Sequence, residues 1–235
     1  AVYLMSGRTN AVIYTFNGTA AGQQFGYSLD GAGDVNLDGV NDIIVGSEFE
    51  SPNGTGSGAA RVYSGASGVQ LLVFNGVHGN DRMGNAVSGA GDVNGDGHAD
   101  LIVGSNKTDV GGLDTGSAIV FSGTTGQILY TFDGLGPDDQ FGEAVSDCGD
   151  LNGDGFDDVM AGSNYNDQAA TNAGSTRPKM NKSSPDCLPI ASGSRALTSE
   201  ISVGSRLIRA APRMAPRRLP RPPMTTISTS CSDSI

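Results

Sequence analysis

Three short stretches of this 235-residue chain carry oxygen-bearing side chains at one spacing. Asp34, Asn36, Asp38 and Asp42 stand at positions one, three, five and nine of a nine-residue loop. Asp92, Asn94, Asp96 and Asp100 repeat the pattern, as do Asp150, Asn152, Asp154 and Asp158. Oxygens on alternate residues, folded inward around one point, are ligands for a hard cation, and Ca²⁺ takes about six to eight of them at roughly 2.3–2.6 Å. Position six is Gly39, Gly97 or Gly155, where a sharp turn favours positive φ. Position seven is Val40, His98 or Phe156. Their side chains share no chemistry, so the backbone carbonyl is the expected ligand there. About three Ca²⁺ ions, one per loop, are expected. Asp, Asn and Gly also favour turns without any metal, but three identical spacings weigh against a set of ordinary solvated turns.

The elements that position these loops recur with them. Asp34, Asp92 and Asp150 are 58 residues apart, the signature of a repeat architecture. An EF-hand loop would need Glu at position twelve and a helix on each side, but Val45, Val103 and Ala161 stand there. The flanks Asp42–Val45 and Leu101–Val103 are short apolar runs closed by Gly-Ser and read as strands covered on both faces. One unit reads as four strands, at about 26–30, 42–46, 59–64 and 70–75, which matches a propeller blade. Ser6-Gly7, Ser64-Gly65 and Ser122-Gly123 keep the same interval. The expected organisation is 1–18, the second half of a blade; 19–76 and 77–134, whole repeats; 135–176, an incomplete one; and 177–235, a tail.

Phe25-Gly26 followed by Gly33-Asp34 and Gly46-Ser47, and Phe141-Gly142 followed by Gly149-Asp150 and Gly162-Ser163, resemble the FG-GAP repeats of integrin α-subunit β-propellers and related bacterial surface proteins. The resemblance covers residues 1 to about 174. Two features depart from that family's pattern: Ser-Glu or Ser-Asn replaces the usual closing Ala-Pro, and Met83 replaces Phe in the middle copy. The resemblance implies an all-β partial propeller and partner binding, to a protein or a glycan, on the face away from the calcium loops. It also implies an extracellular or cell-surface location. Propellers of this type also occur beside secreted hydrolases and polysaccharide lyases, so a non-catalytic portion of such an enzyme is the alternative.

Charge divides the chain. Residues 1–174 hold 22 acidic and 4 basic residues, which excludes nucleic-acid binding by bulk electrostatics. Nine of those acids are loop ligands, so the acidity follows largely from metal chemistry. Residues 175–235 hold 10 basic and 3 acidic residues, eight of the ten prolines and no aromatics. That composition cannot build a core; the tail is either a disordered basic arm or out-of-frame translation of a lost blade. No apolar run is long enough for a transmembrane segment, and an export signal is expected upstream, because the sequence opens inside a repeat.

No nucleophile elbow, phosphate loop or zinc spacing is present, and no catalytic role is expected. Cys148 replaces Ala32 and Ala90 and is expected to be a small buried thiol. Loops near 18–25, 47–58, 76–83, 105–116 and 134–140 are expected on the face opposite the metals. Glu48, Glu50, Asp81, Asp109, Asp138 and Asp139 lie in them as solubilising or partner-binding charges.

Overall fold

The computed structural model describes residues 1–165 and the backbone of residues 179–180. β-branched and aromatic runs punctuated by glycine give strands throughout, and no helix forms among the described residues. Val2–Met5 (β1) and Val12–Phe16 (β2) make an antiparallel hairpin. Leu29–Gly33 (β3), Asp42–Ser47 (β4), Ala59–Tyr63 (β5) and Gln70–Asn75 (β6) form a four-stranded antiparallel sheet in chain order. Met83–Gly91 (β7), Asp100–Ser105 (β8), Ser117–Phe121 (β9) and Ile128–Asp133 (β10) repeat that order. Ala144–Gly149 (β11) and Asp158–Gly162 (β12) form the inner pair of a third unit. Lys179–Met180 (β13) pairs with Asp133 and Phe132 at the outer edge of β10. The architecture is a partial β-propeller: two whole blades between two-stranded halves.

Stacking explains the unbroken apolar strands. In β8 every residue is buried, yet its neighbours enter different cores. Leu101 and Val103 join Ala32, Ile44, Val62 and Phe74 between the first and second blades. Ile102 faces the other way, with Ala90, Val120 and Phe141, between the second and third. Each such side chain contributes about 1.5–3 kcal/mol when fully buried. Phe74 and Phe121 stack across the first interface with centroids 4.1 Å apart.

The motif glycines mark where blades touch. A Cβ on Gly46 would lie 2.1 Å from the Gly84 carbonyl oxygen, and one on Gly104 would lie 2.1 Å from that of Gly142. Only glycine admits that approach. Met83 and Phe141 are buried beside Gly58 and Gly116, so methionine fills the aromatic's place. The serines that replace the family's Ala are used too: Ser47 Oγ donates to the Gln23 carbonyl (2.9 Å), and Ser105 Oγ to that of Asp81 (3.0 Å).

Three expectations need correction. The first strand of the first blade is residues 29–33, not 26–30, because Gly26 adopts φ 87° and Tyr27 N bonds to Gln24 O (2.9 Å), making Phe-Gly a turn. Cys148 is only half-buried, whereas Ala32 and Ala90 are fully buried: β7 packs over β3, and β11 over β7, but no described strand packs over the far face of β11. The third concerns the charges opposite the metal loops and is taken up below. Apart from β13, the tail expected over 177–235 lies outside the described residues, as does the third repeat from residue 166.

Candidate metal centres

Each candidate loop joins the two inner strands of a blade: β3 to β4, β7 to β8 and β11 to β12. The position-one carboxylate closes the turn. Asp34 Oδ1 accepts from Asp38 N (3.0 Å) and Oδ2 from Gly39 N (2.9 Å). Asp92 accepts likewise from Asp96 N (3.0 Å) and Gly97 N (2.8 Å), and Asp150 from Asp154 N (3.1 Å) and Gly155 N (2.9 Å). Position-five carboxylates accept from the position-seven amides of Val40, His98 and Phe156. The position-six glycines have φ of 86°, 85° and 94°.

The position-three amide gathers the other ligand positions. Asn94 Nδ2 donates to Asp96 Oδ2 (3.1 Å) and lies 3.5 Å from Asp100 Oδ1. Asn152 Nδ2 meets Asp154 Oδ2 (3.0 Å) and Asp158 Oδ1 (3.5 Å). In the first loop Asn36 Nδ2 reaches Asp38 Oδ2 (3.0 Å) only. Among the described residues no three His, Cys, Asp or Glu side chains are grouped so as to hold a metal ion; the candidate donor set would add Asn and a backbone carbonyl.

Position nine links the loop to the body of the blade. Asp42 Oδ2 accepts from Val35 N (2.9 Å) and Oδ1 from Gly65 N (3.0 Å). Asp100 does the same with Val93 N (3.1 Å) and Gly123 N (3.0 Å). Both carboxylates are buried. Burial pushes the Asp100 carboxyl up to about 6, aided by the charges of Asp96 and Asp92, and raises that of Asp42. Asp158, more exposed, accepts from Leu151 N (2.9 Å). No Lys or Arg among the described residues pairs with any of the nine loop carboxylates. Three carboxylates per nine-residue loop, one of them buried in the first two loops, with no cationic partner among the described residues, are a donor set that fits a divalent cation.

Spacing alone hid several of these contributors. Gly65 and Gly123 are visible in the sequence as repeats, but their service to position nine depends on the turn after β5 or β9 folding back. Position four is also left-handed: Gly95 has φ 75°, Gly153 76°, and Leu37, a non-glycine, 56°. The loops also touch in series. His98 Nδ1 lies 2.9 Å from Val35 O, and Asp157 at position eight of the third loop accepts from Asp92 N (2.7 Å).

The acids opposite the candidate loops are mostly structural, against expectation. Glu48, Glu50, Asp81 and Asp139 are buried. Glu50 pairs with Arg61; Asp81 Oδ2 accepts from Val77 N and His78 N, and Asp139 Oδ2 from Leu135 N and Gly136 N. Buried carboxylates need such partners, and backbone donors in tight turns supply them. Asp109 and Asp138 are exposed.

The model of the FG-GAP repeat matches residues 25–63 and 83–121, and these stretches are FG-GAP repeats. Each begins at the Phe-Gly or Met-Gly turn and runs through the metal loop to the third strand of its blade. Bovine integrin alpha-2 is 37% identical over 91 residues, covering 35% of this chain and 8% of that protein. Integrin alpha-5 of Xenopus laevis is 27% identical over 177 residues, 68% of this chain and 17% of that protein. Human integrin alpha-6 is 31% identical over 157 residues, 64% and 13% respectively. The chain therefore carries integrin alpha-like repeats and spans under a fifth of these relatives. No helix among the described residues is long and apolar enough to cross a membrane.

Proposed function

We propose that this chain is a calcium-binding, integrin alpha-like scaffold of a secreted or cell-surface protein, mediating adhesion or ligand binding without catalysis. The supporting observation is the carboxylate arrangement repeated in three loops, with Asp42 and Asp100 buried and, among the described residues, no Lys or Arg paired to any loop carboxylate. Asp34, Asn36, Asp38, Asp42 and the Val40 carbonyl would hold one ion, and the equivalent residues the other two. Bound calcium supplies positive charge at the centre of each loop and ties two strands together, a structural role.

The opposite loops support the binding part of the reading. They bond to one another in pairs, Asn80 N to Thr55 O (2.8 Å) and Asp138 N to Leu113 O (2.8 Å), and leave Val77, Val110 and Leu113 exposed. Exposed apolar side chains on braced loops suit a protein or glycan partner. Surfaces coated with the chain should hold cells in millimolar calcium and release them in EGTA. Attachment indifferent to calcium, or absent, would contradict the adhesive role.

A further inference from the structure

We propose that Asp157 is a positioning residue that couples calcium binding in the second and third loops. The inference rests on the calcium reading above and deepens it. Asp157 is position eight of its own loop, outside the ligand pattern, and its side chain leaves that loop for the preceding blade. Its Oδ2 accepts from Asp92 N (2.7 Å), while its own N–H donates to Asp92 O (3.2 Å). A Cβ on Gly91 would fall 2.0 Å from that Oδ2, so the carboxylate occupies space that only a glycine leaves open. The two bonds grip, from both sides of its Cα, the residue whose carboxylate closes the second loop on Gly95, Asp96 and Gly97.

The other loop junction provides an internal contrast. Position eight of the second loop is Ala99, a methyl packed at Gly33 with no oxygen to offer Asp34 N. That junction has instead the hydrogen bond between His98 Nδ1 and the Val35 carbonyl.

Coupling follows from the ordering of the backbone. Asp157 lies between two proposed third-loop ligands, the Phe156 carbonyl and Asp158, so an ion there immobilises it. It then holds Asp92 in place before the second loop fills, and the second ion orders less backbone on binding. The Asp157 charge attracts an ion in either loop independently, and repulsion between the two bound dications, weakened by water around the exposed loops, opposes the ordering effect. The ordering effect sets the sign, and the coupling must be reciprocal. A coupling of about fivefold in affinity is expected, the lower end of the usual range.

The test is a calcium titration of the EGTA-stripped full chain followed by the amide resonances of Gly39, Gly97 and Gly155, each of which reports its own loop. Destroying the third loop with Asp154→Ala should weaken the second about fivefold and leave the first unchanged. With Asp157→Ala already present, the same Asp154→Ala change should alter second-loop affinity by less than about twofold. Asp157→Asn, which keeps an acceptor for Asp92 N, should retain part of the coupling. An unchanged first loop in each variant shows that the fold is intact. Second-loop affinity indifferent to Asp154→Ala, or coupling that survives Asp157→Ala, would overturn the proposal while leaving the calcium reading standing. No binding at any loop of the unaltered chain would overturn both.

Discussion

The amide of Gly123, in the turn after β9, donates to the buried carboxylate of Asp100 at 3.0 Å, tying the loop between β7 and β8 to the third strand of its blade. Asp100 therefore has two separable duties: it is a candidate ligand and it satisfies two backbone amides, those of Gly123 and Val93.

Those duties separate in stripped protein. Asp100→Ala should destabilise the calcium-free chain by about 2–4 kcal/mol, because two buried N–H groups lose their acceptor. Asp96→Ala, at an exposed loop tip, should leave calcium-free melting nearly unchanged. Both variants should lose one calcium. Urea unfolding in EGTA measures the first effect, and equal stabilities would show that Asp100 is not a structural acceptor.

Leu37 sits at φ 56° where the other two loops have glycine, and it is exposed. A left-handed non-glycine costs about 1–2 kcal/mol, and glycine's extra unfolded-state freedom takes back about 0.5–1. Leu37→Gly should thus stabilise the chelated protein slightly, by about 0.5 kcal/mol, in denaturant melts. A clear loss of stability would mean that the leucine side chain packs usefully.

The blade junctions should be less forgiving than the loops. Gly104→Ala drives a methyl into the backbone of Gly142 and should cost about 3 kcal/mol. Gly97→Ala meets open space and carries only its φ penalty, about 1 kcal/mol. Thermal melts of the two variants check the order, which would reverse if the blades could slide apart.

The period and the inner strands of each blade were legible in the sequence because blade stacking repeats in register: Asp34, Asp92 and Asp150 recur with the strands that follow them. Residues acting between repeats were not legible. Asp157 is one of three unlike side chains at position eight, and its hydrogen bond to Asp92 exists only because β11 packs on β7. Charge type also misled at Glu50 and Asp81. A carboxylate that caps a turn or meets a half-buried arginine looks the same in sequence as one facing water. The start of β3 was displaced because the aromatic-glycine pair resembles a strand, while its glycine takes positive φ to meet the neighbouring blade.

Calcium should stabilise the fold through its preference for the native state, by about 2.7 kcal/mol per site at a hundredfold excess over Kd. Chelation should lower Tm and magnesium should restore little of it, since the loop offers more oxygens than an octahedral ion uses. Differential scanning calorimetry in calcium, magnesium and EGTA distinguishes these outcomes, and equal melting in all three would contradict a structural ion.

The most direct measurement is the number of calcium ions bound by the stripped chain, by equilibrium dialysis at about 10 mM calcium, tenfold above the weakest expected Kd. Three per chain are expected, with dissociation constants of about 10⁻⁴–10⁻³ M, falling to two in Asp96→Ala. A stoichiometry near zero, or one unaffected by that substitution, would contradict the assignment of the loops.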